Sequence, residues 1–248
     1  AELAQALLAT GAWDGKERAY ATEFILVPPG AFTMGGTAHA DEQPRHPVEF
    51  KKPYMIGRTH VTQRVWKAVV EHLRLEDYLK AEPSRFKGPL RPVESINWAE
   101  AYFFATVCGL NMPTEAEYER AIRGGVDAEY PHGDDPAELG KYAWFNDNSG
   151  AQTHDVATLL PNAYGVFDAV GNVWSWVADV WHPNYEGAPK DGTAWLEPEG
   201  VKTMEALEDK AQAHLKKLAE SAQKQEYRPT AAAFKPGIHK PEASKKRR

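Results

Sequence analysis

The chain of 248 residues carries a single cysteine, Cys108. One thiol makes an internal disulfide or a multi-cysteine metal site impossible. Long apolar runs are missing too: no stretch approaches the roughly 20 residues a membrane-spanning helix needs, and no membrane association is expected. The first residues, Ala1-Glu2-Leu3-Ala4-Gln5, show no positively charged lead into an apolar run, so no signal peptide is expected there. Glycine loops of the G-x-G-x-x-G or G-x-x-x-x-G-K-[ST] kind are absent, as is a G-x-S-x-G nucleophile elbow. With one thiol, a reducing, cytoplasmic compartment is the simpler reading, and the layout of a domain followed by an extended arm adds a virion-associated subunit as the other. A secreted, disulfide-free protein remains compatible.

Large aromatics and chain-breakers are plentiful. Eight Trp, 19 Gly and 18 Pro favour a loop-rich fold pinned by bulky rings over a helical bundle. The formal charge of −6 hides two regimes. Residues 202–248 hold 12 Lys and Arg against 6 Asp and Glu, which leaves 17 against 29 for the rest. An acidic body is joined to a basic end.

Periodicity divides the chain further. Residues 1–20 read as a short amphipathic helix with Leu3, Leu7 and Leu8 on one side. Strands are expected at 24–27, stopped by Pro28-Pro29-Gly30, at 32–34, and as one run over 48–56. A helix is expected from the cap Thr62 to 73, with Val65, Trp66, Val69 and Val70 forming its apolar face, and a second from Trp98 to about Cys108. Thr114 and Glu117 stand at capping-box spacing before a third, which Gly124-Gly125 ends. Residues 126–161 read as loop. Over 204–224, Met204, Leu207, Ala211, Leu215, Leu218 and Ala222 recur every three or four residues, as in a long exposed helix. The Pro- and Lys-rich residues 227–248 are expected to be disordered. The expected division is thus 1–20, a main domain over 21–200, an amphipathic helix over 201–226, and the basic tail.

Several segments in order carry a family resemblance. They include Phe32-Thr33-Met34-Gly35-Gly36, Asp41-Glu42-Gln43-Pro44-Arg45-His46-Pro47-Val48, and Val61-Thr62-Gln63 with Trp66. Arg91-Pro92-Val93, Asn97-Trp98-Ala99-Glu100-Ala101 and Met112-Pro113-Thr114-Glu115-Ala116-Glu117 follow, then Pro161-Asn162-Ala163-Tyr164-Gly165 and Gly171-Asn172-Val173-Trp174-Ser175-Trp176. Together, across about residues 24–181, they resemble the formylglycine-generating-enzyme (sulfatase-modifying-factor) family. The resemblance implies an irregular α+β fold related to C-type lectins, with two main helices, small antiparallel sheets and many ordered loops. In that frame Trp98, Thr114, Glu117, Gly171 and Trp176 are structural motif residues. Trp98, Trp174 and Trp176 are expected to supply buried area, and Gly165 and Gly171 to permit turns.

The resemblance also implies chemistry that these residues do not repeat. The family's oxidase activity uses a pair of cysteines near the carboxyl end of the domain to bind copper, a role suited to soft thiolates. Cys108 lies elsewhere, and after Trp181 there is no block like the family's "R-x-x-R-G-G-S-W … G-F-R". Ser175 stands where the family usually has Glu, a calcium ligand in some members, and His60 where Glu is usual before Val61-Thr62. A hydroxyl is a poorer calcium ligand than a carboxylate, so no cofactor is predicted, with calcium at this motif as the disfavoured alternative. The nine histidines form no H-x-x-H or H-x-x-x-H pair. His46 reads as a hydrogen-bond residue that orders its loop.

The leading expectation is a non-catalytic binding or structural module, a subunit of a larger assembly, with Trp144, Asn148, Asn172 and Trp174 as candidate ligand-binding residues. The expectation leans away from an enzyme. The alternative is a divergent metal-dependent formylglycine-generating oxidase or a related iron oxygenase. A protein or glycan partner is expected, with a partner chain or second copy along 204–224 and nucleic acid along the basic tail.

Overall fold

The computed structural model describes residues 22–128 and 130–224. The helix expected over 1–20 and the tail over 227–248 lie outside the described residues. Strand β1 (Phe24–Val27) pairs antiparallel with β4 (Tyr54–Gly57), and β2 (Gly30–Met34) pairs antiparallel with β3 (His46–Phe50). The single strand expected over 48–56 is therefore two. Val27 stands opposite Tyr54 and Gly30 opposite Phe50, so Pro28 and Pro29 face Lys51, Lys52 and Pro53. One extra residue on the returning arm, and prolines with no N–H for a ladder, kink the long hairpin into two short sheets. Arg120, itself buried, donates to the carbonyls of Pro28 and Gly30 and fixes the kink.

Helix α1 (Gln63–His72) starts at Thr62, whose hydroxyl accepts from the Val65 N–H. Its buried face of Trp66, Val69 and Val70 is the one the spacing predicts, and Trp66 stacks on Phe104 at 4.4 Å between ring centroids. Helix α2 (Trp98–Val107) is apolar nearly all round, the pattern of a helix covered on several sides. Helix α3 (Glu115–Arg123) forms the capping box expected of Thr114 and Glu117 and ends at Gly124, whose φ of 63° glycine adopts freely. Asn162, sequence-distant and buried, donates to the carbonyls of Ala121 and Ile122 in the last turn of the helix.

Helix α4 (Pro198–Lys224) begins before residue 201 and is not the exposed arm the periodicity suggested. It packs along α2, with Ala211 fully buried and Met204, Leu207 and Leu218 against the core. The Tyr102 hydroxyl donates to Glu208 at 2.6 Å and His214 Nε2 to the Leu73 carbonyl at 2.7 Å. The stripe expected to meet a partner helix thus lies on the chain's own α2. A methyl at 211 is small enough to let the two backbones approach. The main core lies between α1, α2 and α4; a second, around Met34, Val48, Phe50 and Ala116, joins the hairpin to α3.

Candidate functional site

The four candidate ligand residues fall in and beside the loops of 144–176. Gly171 sets their geometry. It takes φ 84°, and a Cβ there would overlap the carbonyl oxygen of Trp144, with which it forms a parallel bridge. Only glycine allows that approach. The bridge brings Trp144 beside 171–172, where its ring stacks on His154 at 3.8 Å and its Nε1 donates to Thr158.

The two candidate asparagines are turned inward. Asn148 Oδ1 accepts from the Phe145 N–H and its amide donates to the Ala143 carbonyl, which closes a tight loop. Asn172, at φ 59°, accepts from the His154 N–H and donates to the His154 carbonyl, in the manner of a strand neighbour. It also donates to buried Asp168 at 3.4 Å. Both side chains position loops. Their amides are spent within the chain.

The tryptophans divide differently from the expectation that all three are buried. Trp98 stacks on Tyr102 and donates its Nε1 to the Val177 carbonyl. Trp176, bonded through Nε1 to the Ile96 carbonyl, is 50% exposed, and Trp174 is 101% exposed. Trp174 is uncovered among the described residues, so the ring area that was to be buried there faces outward. Between the two rings Ser175 points in. Its Oγ sits 2.9 Å from His60 Nε2 and 2.7 Å from the Tyr118 hydroxyl. Burial pushes the His60 imidazole below its ordinary value, against the pull of the Asp168 carboxylate. Sequence reasoning placed neither His60 nor Tyr118 at this site. The signal available was that positions 60 and 175 both depart from the family pattern.

A cluster of carboxylates borders this segment. Asp179 accepts from the N–H groups of Glu115 and Trp195, each at 2.7 Å, and Glu115 accepts from the Tyr185 hydroxyl. Burial raises Asp179, Glu115 and Glu117 above the usual carboxylate range. A concavity of about 420 Å³ lies elsewhere, along Gln63, Lys67, Glu82 and Lys87, and no candidate residue lines it. Of the four candidate residues only Trp174 is wholly exposed.

Comparison with known proteins places this geometry. Residues 10–238 match the sulfatase-modifying factor enzyme 1-like domain. The chain belongs to that family. The formylglycine-generating enzyme of Thermomonospora curvata is 34% identical over 127 residues, 46% of this chain and 42% of that protein. The serine/threonine-protein kinase pkn1 of Chlamydia pneumoniae is 31% identical over 188 residues, 67% of this chain and 29% of the kinase. The chain therefore spans less than half the length of these relatives. Among solved structures, PvdO from Pseudomonas aeruginosa superposes with a TM-score of 0.62 at 31% identity, over 71% of this chain and 78% of PvdO. Treponema denticola variable protein 1 gives 0.55 at 28% identity, over 63% and 72%. The α+β fold with small antiparallel sheets is that of sulfatase-modifying-factor-like proteins.

The family's metals do not fit the residues present. Copper needs paired thiolates, whereas Cys108 is alone, 7% exposed, and its thiol is pushed up to about 12 by burial. Calcium at the motif of Asn172 and Ser175 would need oxygens that are already bonded to His154, His60 and Tyr118. Among the described residues no group of three or more His, Cys, Asp and Glu is placed to hold a metal ion, and no helix is long and apolar enough to cross a membrane.

Proposed function

We propose that this domain is a non-catalytic binding module, a subunit that recognises a protein partner through the surface of Trp174 and Trp176. The observation that carries the reading is the contrast within three residues: Ser175 is held from inside by His60 and Tyr118, while Trp174 is entirely exposed. Large rings presented on a rigid segment are the usual energetic centres of protein interfaces. Their conformational cost on binding is low, because the backbone beneath them is already fixed. Trp144, Asn148 and Asn172 support that surface by shaping the loops beside it.

The second reading, a divergent formylglycine-generating oxidase, draws on the names of the relatives. Its obstacle is a thiol that burial keeps protonated and solvent cannot reach. One experiment separates the two. The full chain is incubated with copper and a cysteine-bearing sulfatase peptide, and the peptide is examined by mass spectrometry. Recovery of the intact thiol is expected; conversion to the aldehyde would overturn the binding reading.

A further inference from the structure

The surface of Trp174 and Trp176 runs into an open hollow at the start of α4. It measures about 230 Å³ and lies between Trp98, Ala178, Val180, Leu196 and Met204. The polar groups on its wall are engaged elsewhere. Each Asp179 oxygen accepts an N–H, from Trp195 and from Glu115, and the Thr203 hydroxyl donates to the Glu199 carbonyl. What remains is apolar, and an occupant with unpaired polar groups would be penalised there. An apolar cavity of about 150 Å³ holds a benzene ring, so this one has room for a side chain of the size of Phe or Leu. Glycine in a helix is costly relative to alanine. At Gly200 a Cβ would stand 3.0 Å from Val180 Cγ2 and narrow the hollow.

The hollow begins where an unpaired stretch of backbone ends. Side chains alternate from Trp174 out to Ser175 in and Trp176 out, as in an extended strand. Among the described residues no hydrogen bond reaches the N–H groups of 174–177 or the carbonyls of 174–176. The Val177 carbonyl accepts from Trp98 Nε1 at 2.8 Å, which ties the end of this run to the wall of the hollow. An extended peptide laid on such a run gains main-chain bonds, and a pocket beside it selects one side chain.

Charge narrows the occupant further. Residues 142–189 contain no Lys or Arg. Exposed carboxylates stand near both ends of the run. Asp155 follows His154, which Asn172 holds through its N–H and carbonyl, and Glu197 and Glu199 flank the start of α4. Lys202, the first lysine of α4, is already paired with Glu199 at 3.4 Å. A basic segment meets complementary charge at both ends.

We infer that an extended, basic segment of the partner protein adds along 174–177 and seats one apolar side chain, of Phe or Leu size, in the hollow between Trp98 and Met204. The inference rests on the binding reading and names the chemistry of the partner.

The probe is the capped peptide Lys-Thr-Lys-Phe-Lys-Thr-Lys, added to the full chain and followed by NMR with amide hydrogen exchange. Binding is expected to shift the Met204 methyl signal. It should also slow exchange at alternate amides of the run, as pairing with one strand requires: Trp174 and Trp176, or Ser175 and Val177. Changing the peptide's Phe to Ala should weaken binding about tenfold or more. Thr203→Phe, at an exposed position on the rim, should weaken it similarly by filling the hollow, while α2 amides stay protected as the folding control. No binding up to the solubility limit of the peptide, or equal affinity for the Ala peptide, would overturn the inference. Shifts confined to the Trp174 and Trp176 indoles would overturn it too, while keeping those rings as the binding surface. The copper experiment reads a different chemistry, so the two readings fail separately.

Discussion

His60 Nε2 and Ser175 Oγ, 115 residues apart in sequence, meet at 2.9 Å beneath the exposed indole of Trp174. Tyr118 closes the same contact from α3 at 2.7 Å. A serine hydroxyl can accept one bond and donate another, so a single small side chain satisfies two buried partners. Removing it should cost more than its size suggests. Ser175→Ala leaves the imidazole and the phenol short of a partner and is expected to lower stability by about 1–3 kcal/mol. Trp174→Ala, one residue away and wholly exposed, should stay within about 0.5 kcal/mol. Urea denaturation of both variants checks the contrast, and equal losses would contradict the geometry.

The difference between these neighbours shows what the sequence could convey. The capping box of Thr114 and Glu117 is local: spacing alone specifies it, and it is present as read. The buried stripe of α1 is legible for the same reason. Trp174 and Trp176 were not legible, because a hydrophobic ring signals area to be covered but not whether anything covers it. Asn148 and Asn172 match surface-loop composition, yet their amides serve Phe145, Ala143 and His154. Only folding names those partners. Helix α4 was placed by its periodicity, and its stripe looked free because α2, the surface it packs on, is far upstream.

Acid should act on the same contact. The folded-state pKa of His60 lies below its unfolded value of 6.5, because burial disfavours the cation. The unfolded chain therefore takes up this proton first as pH falls. The stability linked to His60 is whole above the unfolded pKa and is lost as pH drops through it toward the folded value. Asp179, Glu115 and Glu117 act in the opposite sense. Their folded pKa values are raised, so the stability linked to them is present at low pH and is lost as pH rises through those values. The informative quantity is the difference between the parent and His60→Gln. Denaturation midpoints measured from about pH 7.5 to about pH 5 should fall more steeply in the parent. Parallel curves would show that His60 does not titrate differently on folding.

Gly171 offers a test of how the site is built. At φ 84° an L-residue is strained, and its Cβ would press on the Trp144 carbonyl, a backbone atom that cannot swing aside. Gly171→Ala is expected to cost about 2 kcal/mol or more. It should also loosen the Trp144–His154 stack, reducing near-ultraviolet circular dichroism while the helical signal stays. Gly109→Ala shares the positive φ, at 68°, but has open space around it, and should cost only about 1 kcal/mol.

Ala211 reports whether α4 belongs to the domain. Its methyl is fully buried against α2, with Glu208 bonded to Tyr102 on one side and His214 to Leu73 on the other. Leucine there would overfill a close-packed contact, and Ala211→Leu is expected to destabilise by about 1–3 kcal/mol. The decisive readout is cooperativity. If α4 is part of one folding unit, far-ultraviolet dichroism and tryptophan fluorescence should shift to lower denaturant together, as one transition. An early loss of helix with unchanged fluorescence would mean that α4 unfolds alone.

Cys108 allows the most direct check on the chemistry. Cys108 sits at the C-cap of α2 inside the main core, 7% exposed, and burial pushes its thiol up to about 12. A nucleophilic or copper-binding cysteine needs the opposite, a thiolate near neutral pH with a path to solvent. In the native chain near pH 8, Ellman's reagent should therefore react with Cys108 only as fast as the protein opens, and at once in urea. Cys108→Ala should leave every binding property intact while costing about 1 kcal/mol for the lost sulfur contacts. Rapid native labelling, or a variant that lost partner recognition, would return the thiol to the functional site and reopen the oxidase reading.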